Sequence, residues 1–208
     1  MQVSSLNAHD KSPSLWNQSK YHGELAVARE FPGAVCVKLS TVFGPEDRFL
    51  NWLAEATMRL PAVPLVEGGS NLVQPVYAAD VGKGIMEIIR NYEDFQGRSI
   101  QFVVPHEYSQ REVAEFVQDV TGMHKALVAV PQAWAQTAGR VLEQFPQPFW
   151  TQDLARLALE DTVAHGPEAG LLTLQDLGVQ PASMDSAAFD YLHRFRKGGH
   201  FTLVKGYH

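Results

Sequence analysis

Ala34-Val35-Cys36-Val37-Lys38-Leu39-Ser40-Thr41-Val42-Phe43-Gly44-Pro45 is the stretch on which the fold turns. Its first six residues are an apolar, β-branched run of strand length, entered from Pro32-Gly33 and left through Gly44-Pro45. A run without polar alternation suits a strand covered on both faces, the condition of a parallel sheet. Upstream, residues 19–31 mix good helix formers with an apolar side at Leu25 and Ala28, which predicts a helix that begins as early as Trp16 and stops at Pro32. In front of it, Met1-Gln2-Val3-Ser4-Ser5 reads as a strand running into a loop.

Downstream, residues 51–60 predict a helix, and Pro61, Pro64, Gly68 and Gly69 punctuate a loop that leads to a strand at 72–77. Asp80 is read as the N-cap of a helix whose Val81, Ile85, Ile88 and Ile89 share one face. Gly97 precedes another apolar strand at 99–104. Ser109-Gln110-Arg111-Glu112 is a capping box, followed by Val113, Phe116, Val117 and Val120 at helical spacing and by Gly122 as a stop. Residues 134–145 predict an amphipathic helix between Pro131 and Pro146, and 151–191 predict short helices separated by loops at 165–170 and 178–183. Helices alternating with buried strands give an α/β fold: the second half of a doubly wound parallel sheet with a smaller, mostly helical C-terminal lobe. The expected division is 1–105 for the sheet domain and 106–208 for the lobe and tail, with parts of 40–75 also contributing to the lobe.

The 208 residues, 45% hydrophobic and 19% charged, are enough to bury a core. A net charge of −6 excludes a general nucleic-acid binder, which needs a Lys/Arg surplus to neutralise phosphates. The single Cys36 rules out an internal disulfide and a thiol pair for zinc; it fits a reducing compartment or an organelle matrix and reads as a small core residue. No run approaches the ~18–20 apolar residues of a membrane span. The N-terminus carries neither a secretory apolar region nor an Arg-rich presequence, so import information is expected to be absent or already removed. The eight histidines form no H-x-x-x-H or H-x-H pair, so no metal site is expected, and no G-x-S-x-G elbow occurs. Glu46-Asp47-Arg48 reads as a loop ion cluster. The basic and aromatic series His193-Arg194-Phe195-Arg196-Lys197-Gly198-Gly199-His200 is either a solvated terminus or a segment that docks on neighbouring subunits or lipid headgroups. Trp134, Phe145, Phe149 and Trp150 are either lobe core or a docking surface.

Four stretches taken in order carry a resemblance: Val3-Ser4-Ser5, Trp16-x-x-Ser19-Lys20, the run from Val37 to Pro45, and Gln74-Pro75-Val76-Tyr77-x-x-Asp80-Val81. The series resembles the second half of extended or atypical short-chain dehydrogenases, which have a Rossmann-like sheet. Within that group it is most similar to the 39 kDa accessory subunits of mitochondrial respiratory complex I. Val3 to Ala8, Phe43 to Asn51 and Gln74 to Tyr77 are the most specific stretches, and Phe149-Trp150-Thr151 and Leu174-x-Asp176-Leu177-Gly178 extend the likeness more loosely into the tail.

The resemblance implies a non-catalytic accessory role, other complex I subunits as partners, and a peripheral place on the matrix side of the mitochondrial inner membrane, with possible contact to the membrane surface. It also implies a tightly held NADPH, with Lys20 on the nicotinamide ribose, Leu39, Ser40 and Val42 near the carboxamide end, and Ser5 at the family's Ser/Thr position. Two departures qualify it. No Gly-rich pyrophosphate turn occurs in the chain, so a separate polypeptide carrying that N-terminal half is expected, the alternative being a fragment or a processed chain. The family's proton-transferring tyrosine position is Trp16, and an indole has no titratable proton near neutral pH; no catalytic residue is therefore expected. The runner-up is a fragment of an NAD(P)-dependent extended dehydrogenase or nucleotide-sugar epimerase, favoured by Lys20 with Ser5.

Overall fold

The computed structural model describes residues 1–146, 148, 150–164 and 171–196. Its centre is a four-stranded, fully parallel sheet in the order β1 (Gln2–Ser5), β2 (Cys36–Leu39), β7 (Ser99–Phe102) and β10 (Leu172–Thr173). The register puts Val3, Val37, Ile100 and Leu172 on one face and Ser4, Lys38, Gln101 and Thr173 on the other. The apolar face lies under α3 (Ala78–Arg90), whose Val81 and Ile88 share a core with Val35, Val37, Ile100, Phe102 and Leu174. Gly84 allows this close approach, because a Cβ there would lie 2.6 Å from the Phe102 ring and 2.7 Å from Leu174. The polar face lies under α1 (Leu15–Glu30), where Glu24 meets Lys38 at 3.1 Å. Cys36 shares this side; burial first and Glu24 second push its thiol up to about 11, so it is no nucleophile near neutral pH.

The second lobe is built from both halves of the chain. Strand β4 (Ala62–Val66) pairs in parallel with β9 (Ala126–Val130) over five residues. Helices α2 (Leu50–Arg59), α5 (Gln110–Thr121) and α8 (Met184–Leu192) pack around Leu50, Leu53, Val113, Val117, Met184 and Leu192. The 72–77 strand divides at Gln74-Pro75. Its first part, β5 (Leu72–Val73), runs antiparallel to β8 (Tyr108–Ser109), and its second, β6 (Val76–Tyr77), runs parallel to β3 (Val42–Phe43). The short α4 (Tyr92–Phe95) leads into β7. The capping box on α5 is complete, and Gly122 ends that helix in the left-handed region at φ 68°. Helices α6 (Gln132–Leu142) and α7 (Gln152–Leu157) complete the α-helices among the described residues.

Several expectations are corrected. The loop at 61–69 contains β4: Pro64 is tolerated because β4–β9 is a two-stranded sheet, in which each strand has a neighbour on one side only. Asp80 is not the N-cap of α3; Tyr77 occupies that place, and Asp80 sits in the first turn, 1% exposed, accepting from the Ala182 amide and from Lys83 Nζ, each at 2.7 Å. Ile89 is 55% exposed and lies off the buried face. Leu25 and Ala28, read as the apolar side of α1, both face outward among the described residues. The region 151–191, read as helices and loops alone, also holds β10, the fourth strand of the main sheet. Of the aromatic run, Trp150 stacks on Trp52 and donates from Nε1 to the Ala135 carbonyl, whereas Trp134 and Phe145 are exposed. Phe149, the loop at 165–170 and the basic positions 197–200 lie outside the described residues.

Candidate functional site at the carboxyl ends of the strands

In open α/β sheets the ligand crevice lies outside the carboxyl ends of the parallel strands. Four of the five candidate residues gather there. Ser5 and Leu39 end β1 and β2 as register partners, and the Leu6 amide donates to the Leu39 carbonyl at 2.9 Å. Ser40 follows at once, 6% exposed, with its amide on the Phe102 carbonyl and its hydroxyl on the Thr162 carbonyl, both at 3.2 Å. Val42, two residues on, opens β3 against Val76 and is half-buried.

Lys20 comes from α1, one turn beyond Trp16. Its Nζ lies 5.3 Å from the centroid of the Trp16 ring, a cation–π contact, and Trp16 is 47% exposed. Ser5 is turned elsewhere: its hydroxyl donates to Asn17 Oδ1 at 3.1 Å. The Ser5 hydroxyl is thus engaged with Asn17, and Lys20 lies against an indole without acid–base capacity.

The residues that hold this corner together escaped the sequence reading. Asn17 is fully buried and donates from Nδ2 to Glu160 Oε2 at 2.5 Å, while Ser12 Oγ reaches Glu160 Oε1 at 2.7 Å. The carboxylate of Asp153, on α7, lies across the N-terminus of α1 and accepts from Ser14 Oγ, the Leu15 amide and the Trp16 amide at 2.8, 2.8 and 3.2 Å. A carboxylate at a helix N-terminus meets free N–H groups and the positive end of the helix dipole. The two acids thus pin the C-terminal lobe to the helix bearing Lys20, with partners more than 130 positions apart in sequence. The one local signal was Ser14, the N-cap of α1.

A second anchor lies in the Phe43–Asn51 loop. Asp47 accepts from the amides of Gly44, Phe49 and Asn51 and from the Tyr191 hydroxyl at 2.7 Å. Burial, then the hydrogen bond to Asp47, raises the Tyr191 phenol well above its ordinary range. Arg194 donates to the Pro45 carbonyl and to Asn51 Oδ1, both at 3.0 Å, closing the loop against the end of α8. No group of three or more His, Cys, Asp or Glu poised to hold a metal ion occurs among the described residues.

No family model matches the chain. Among curated proteins it is 36% identical over 202 residues to the NADH dehydrogenase (ubiquinone) 1 alpha subcomplex subunit 9, mitochondrial, of Rattus norvegicus, covering 93% of this chain and 51% of that protein. The protein of the same name in Arabidopsis thaliana is 27% identical over 208 residues, covering 96% and 51%. The mitochondrial NADH-ubiquinone oxidoreductase 40 kDa subunit of Neurospora crassa is 27% identical over 202 residues, covering 97% and 52%. The chain thus spans about half the length of the curated relatives it matches.

Among solved structures, a nucleoside-diphosphate-sugar epimerase from Staphylococcus aureus superposes with a TM-score of 0.66 at 13% identity, covering 90% of this chain and 62% of that one. The Helicobacter pylori ADP-L-glycero-D-manno-heptose-6-epimerase gives 0.62 at 17%, covering 93% and 58%. At such identities the likeness is one of fold. Over nearly all its length, then, the chain is homologous to about half of the mitochondrial NADH-ubiquinone oxidoreductase subunits of the 40 kDa and subunit 9 type, and it folds as nucleotide-sugar epimerases do.

Proposed function

We propose that this chain is a non-catalytic accessory subunit of mitochondrial NADH:ubiquinone oxidoreductase, lying on the matrix side of the inner membrane. In this reading it completes a dinucleotide-binding fold together with a separate polypeptide that carries the Gly-rich half. The observation that carries the proposal is the bare flank of the sheet. Strand β1 has no partner on its outer edge among the described residues, and Val3 on it is 39% exposed. Leu15, Trp16 and Leu25 of α1, and Phe31 at its end, are 64%, 47%, 51% and 70% exposed. An open strand edge is what a missing half-sheet covers, and these exposed apolar side chains lie on the helix beside it.

NADPH is the dinucleotide that the resemblance implies, and the residues present fit its nicotinamide end. Lys20 is partly exposed and its ammonium rests against the π face of Trp16, leaving its N–H donors for ribose hydroxyls. The backbone of 39–42, with Leu39, Ser40 and Val42, meets the carboxamide end, and Ser5 lines the crevice floor. When bound, such a cofactor supplies hydride chemistry; this chain's residues bind and orient it, and Trp16 in place of a phenol leaves no proton transfer by the family's route.

Peripheral membrane contact is supported by a groove of ≈ 870 Å³ lined by Arg59, Lys125, Arg194 and Arg196 against the single acid Glu55, a balance of +3 in a chain of net −6. Met58 and Phe195 add apolar surface to it. Anionic headgroups fit that chemistry.

The test is to denature the native assembly, identify the released dinucleotide by mass spectrometry, and assay the intact assembly for turnover of NAD(P)-linked nucleotide-sugar and hydroxyacyl substrates. Stoichiometric NADPH with no turnover attributable to this subunit is expected. Turnover lost on Lys20→Ala favours instead the dehydrogenase or epimerase reading, for which the fold neighbours speak.

A further inference from the structure

Beside the Glu160 anchor of α1, a cavity of ≈ 230 Å³ opens between the turn after β4 and the segment after α7. Its walls include Glu67, Ser70, Asn71 and Asp161, and no Lys, Arg or His. Glu67 and Asp161 are exposed at the rim, whereas Asn71 is 7% exposed. Both the Nδ2 and the Oδ1 of Asn71 are buried without a hydrogen-bond partner. A buried amide left unpaired is a cost that native proteins seldom carry without a ligand or water to relieve it.

Each rim carboxylate is half engaged. Glu67 Oε1 accepts from the Gln132 amide at 2.6 Å and Asp161 Oδ1 from the Leu72 amide at 2.7 Å, which fixes both groups while their second oxygens stay available. The turn that presents Glu67 holds three successive positive φ values, 47° at Glu67, 74° at Gly68 and 73° at Gly69. Gly69 is obligatory, since a Cβ there would fall 2.9 Å from the Arg111 amide nitrogen.

We infer that this pocket binds a cation bearing N–H donors, a guanidinium or a primary ammonium, between Glu67 and Asp161 with Asn71 Oδ1 as the third acceptor. Two carboxylates and an amide oxygen offer three acceptors, with the Arg111 guanidinium held outside the lining on the Gly68 carbonyl, and a directional cationic donor matches such a set. No group of three or more His, Cys, Asp or Glu that could hold a metal ion occurs among the described residues. Asn71 Nδ2 is then satisfied by water that enters with the ligand. The cation is either a free small molecule or a basic side chain of a neighbouring polypeptide.

Methylguanidinium and tetramethylammonium, both singly charged, separate donor recognition from plain charge, because tetramethylammonium has no N–H. Each is titrated calorimetrically into the full-length chain and into its native assembly. Glu67→Gln and Asp161→Asn keep an acceptor for the Gln132 and Leu72 amides, so both fold, as their melting curves will verify. Methylguanidinium is expected to bind the wild-type chain at least about tenfold more tightly than tetramethylammonium. Each substitution is expected to weaken methylguanidinium by about tenfold or more. Binding in chain and assembly alike assigns the pocket to a free cation; binding in the isolated chain only assigns it to a neighbour's basic side chain. Equal binding of methylguanidinium and tetramethylammonium, indifference to both substitutions, or no binding in either preparation overturns the inference.

Discussion

Asp47 lies within the Phe43–Asn51 stretch whose sequence pointed to the family, and its geometry explains why an acid belongs there. One carboxylate serves three backbone amides and the Tyr191 hydroxyl, so the Gly-Pro loop after β3 and the C-terminal α8 are set by a single side chain. Asp47→Ala leaves those donors without acceptors. At roughly 1 kcal/mol per lost hydrogen bond, and more for donors that stay buried, the expected loss is about 3 kcal/mol or greater. A urea unfolding series checks it: the midpoint falls clearly for Asp47→Ala, and a change below about 0.5 kcal/mol, the range of an ordinary surface substitution, contradicts the role assigned here. At this scale the sequence was informative where the signal was local. The Ser109–Glu112 capping box formed as read, because both partners sit within one turn. Asn17, Asp153 and Glu160 were illegible, because nothing in a polar residue announces a partner that lies 137 or 143 positions away.

At the scale of elements, hydrophobic periodicity identified β2, β7, α3 and α5, each of which places its apolar residues against a core. It failed for β4 and β9, short runs at a two-stranded sheet that alternate poorly and include Pro64. It also failed for β10, whose two residues gain their strand identity only from β7. Helix α1 shows the opposite case: it forms where expected, yet the side taken as apolar faces outward. Close packing rather than propensity governs α3. Gly84→Ala gains about 1 kcal/mol in intrinsic helix propensity, but its methyl would enter the Phe102 and Leu174 contact at 2.6–2.8 Å. Overpacking of this kind costs about 1–3 kcal/mol, so a net loss of stability is predicted. Thermal unfolding of Gly84→Ala beside Gly82→Ala reads it directly, since a Cβ at Gly82 meets nothing within 4 Å. A Gly84 variant as stable as the Gly82 variant contradicts the packing described.

On the scale of the whole molecule, the chain crosses between its two lobes in both directions. Residues 62–66 leave the sheet region to pair with 126–130, and 172–173 return to the main sheet from the C-terminal part. The α/β architecture was legible because strand, helix and strand follow each other in sequence. The docking of the lobes was not, because it rests on the Asp153, Glu160 and Asp47 contacts. The candidate residues Ser5, Leu39, Ser40 and Val42 lie at the strand ends beside a β1 edge that is unpaired among the described residues, with Leu15, Trp16 and Leu25 exposed on α1. The central claim is that a companion chain and a respiratory assembly cover this flank. Mass spectrometry of everything that co-purifies with the chain from its native source in mild detergent tests it most directly. The account predicts respiratory NADH:ubiquinone oxidoreductase subunits together with a polypeptide bearing a Gly-rich strand–turn–helix motif; a chain that runs alone, or with soluble metabolic enzymes, would contradict it.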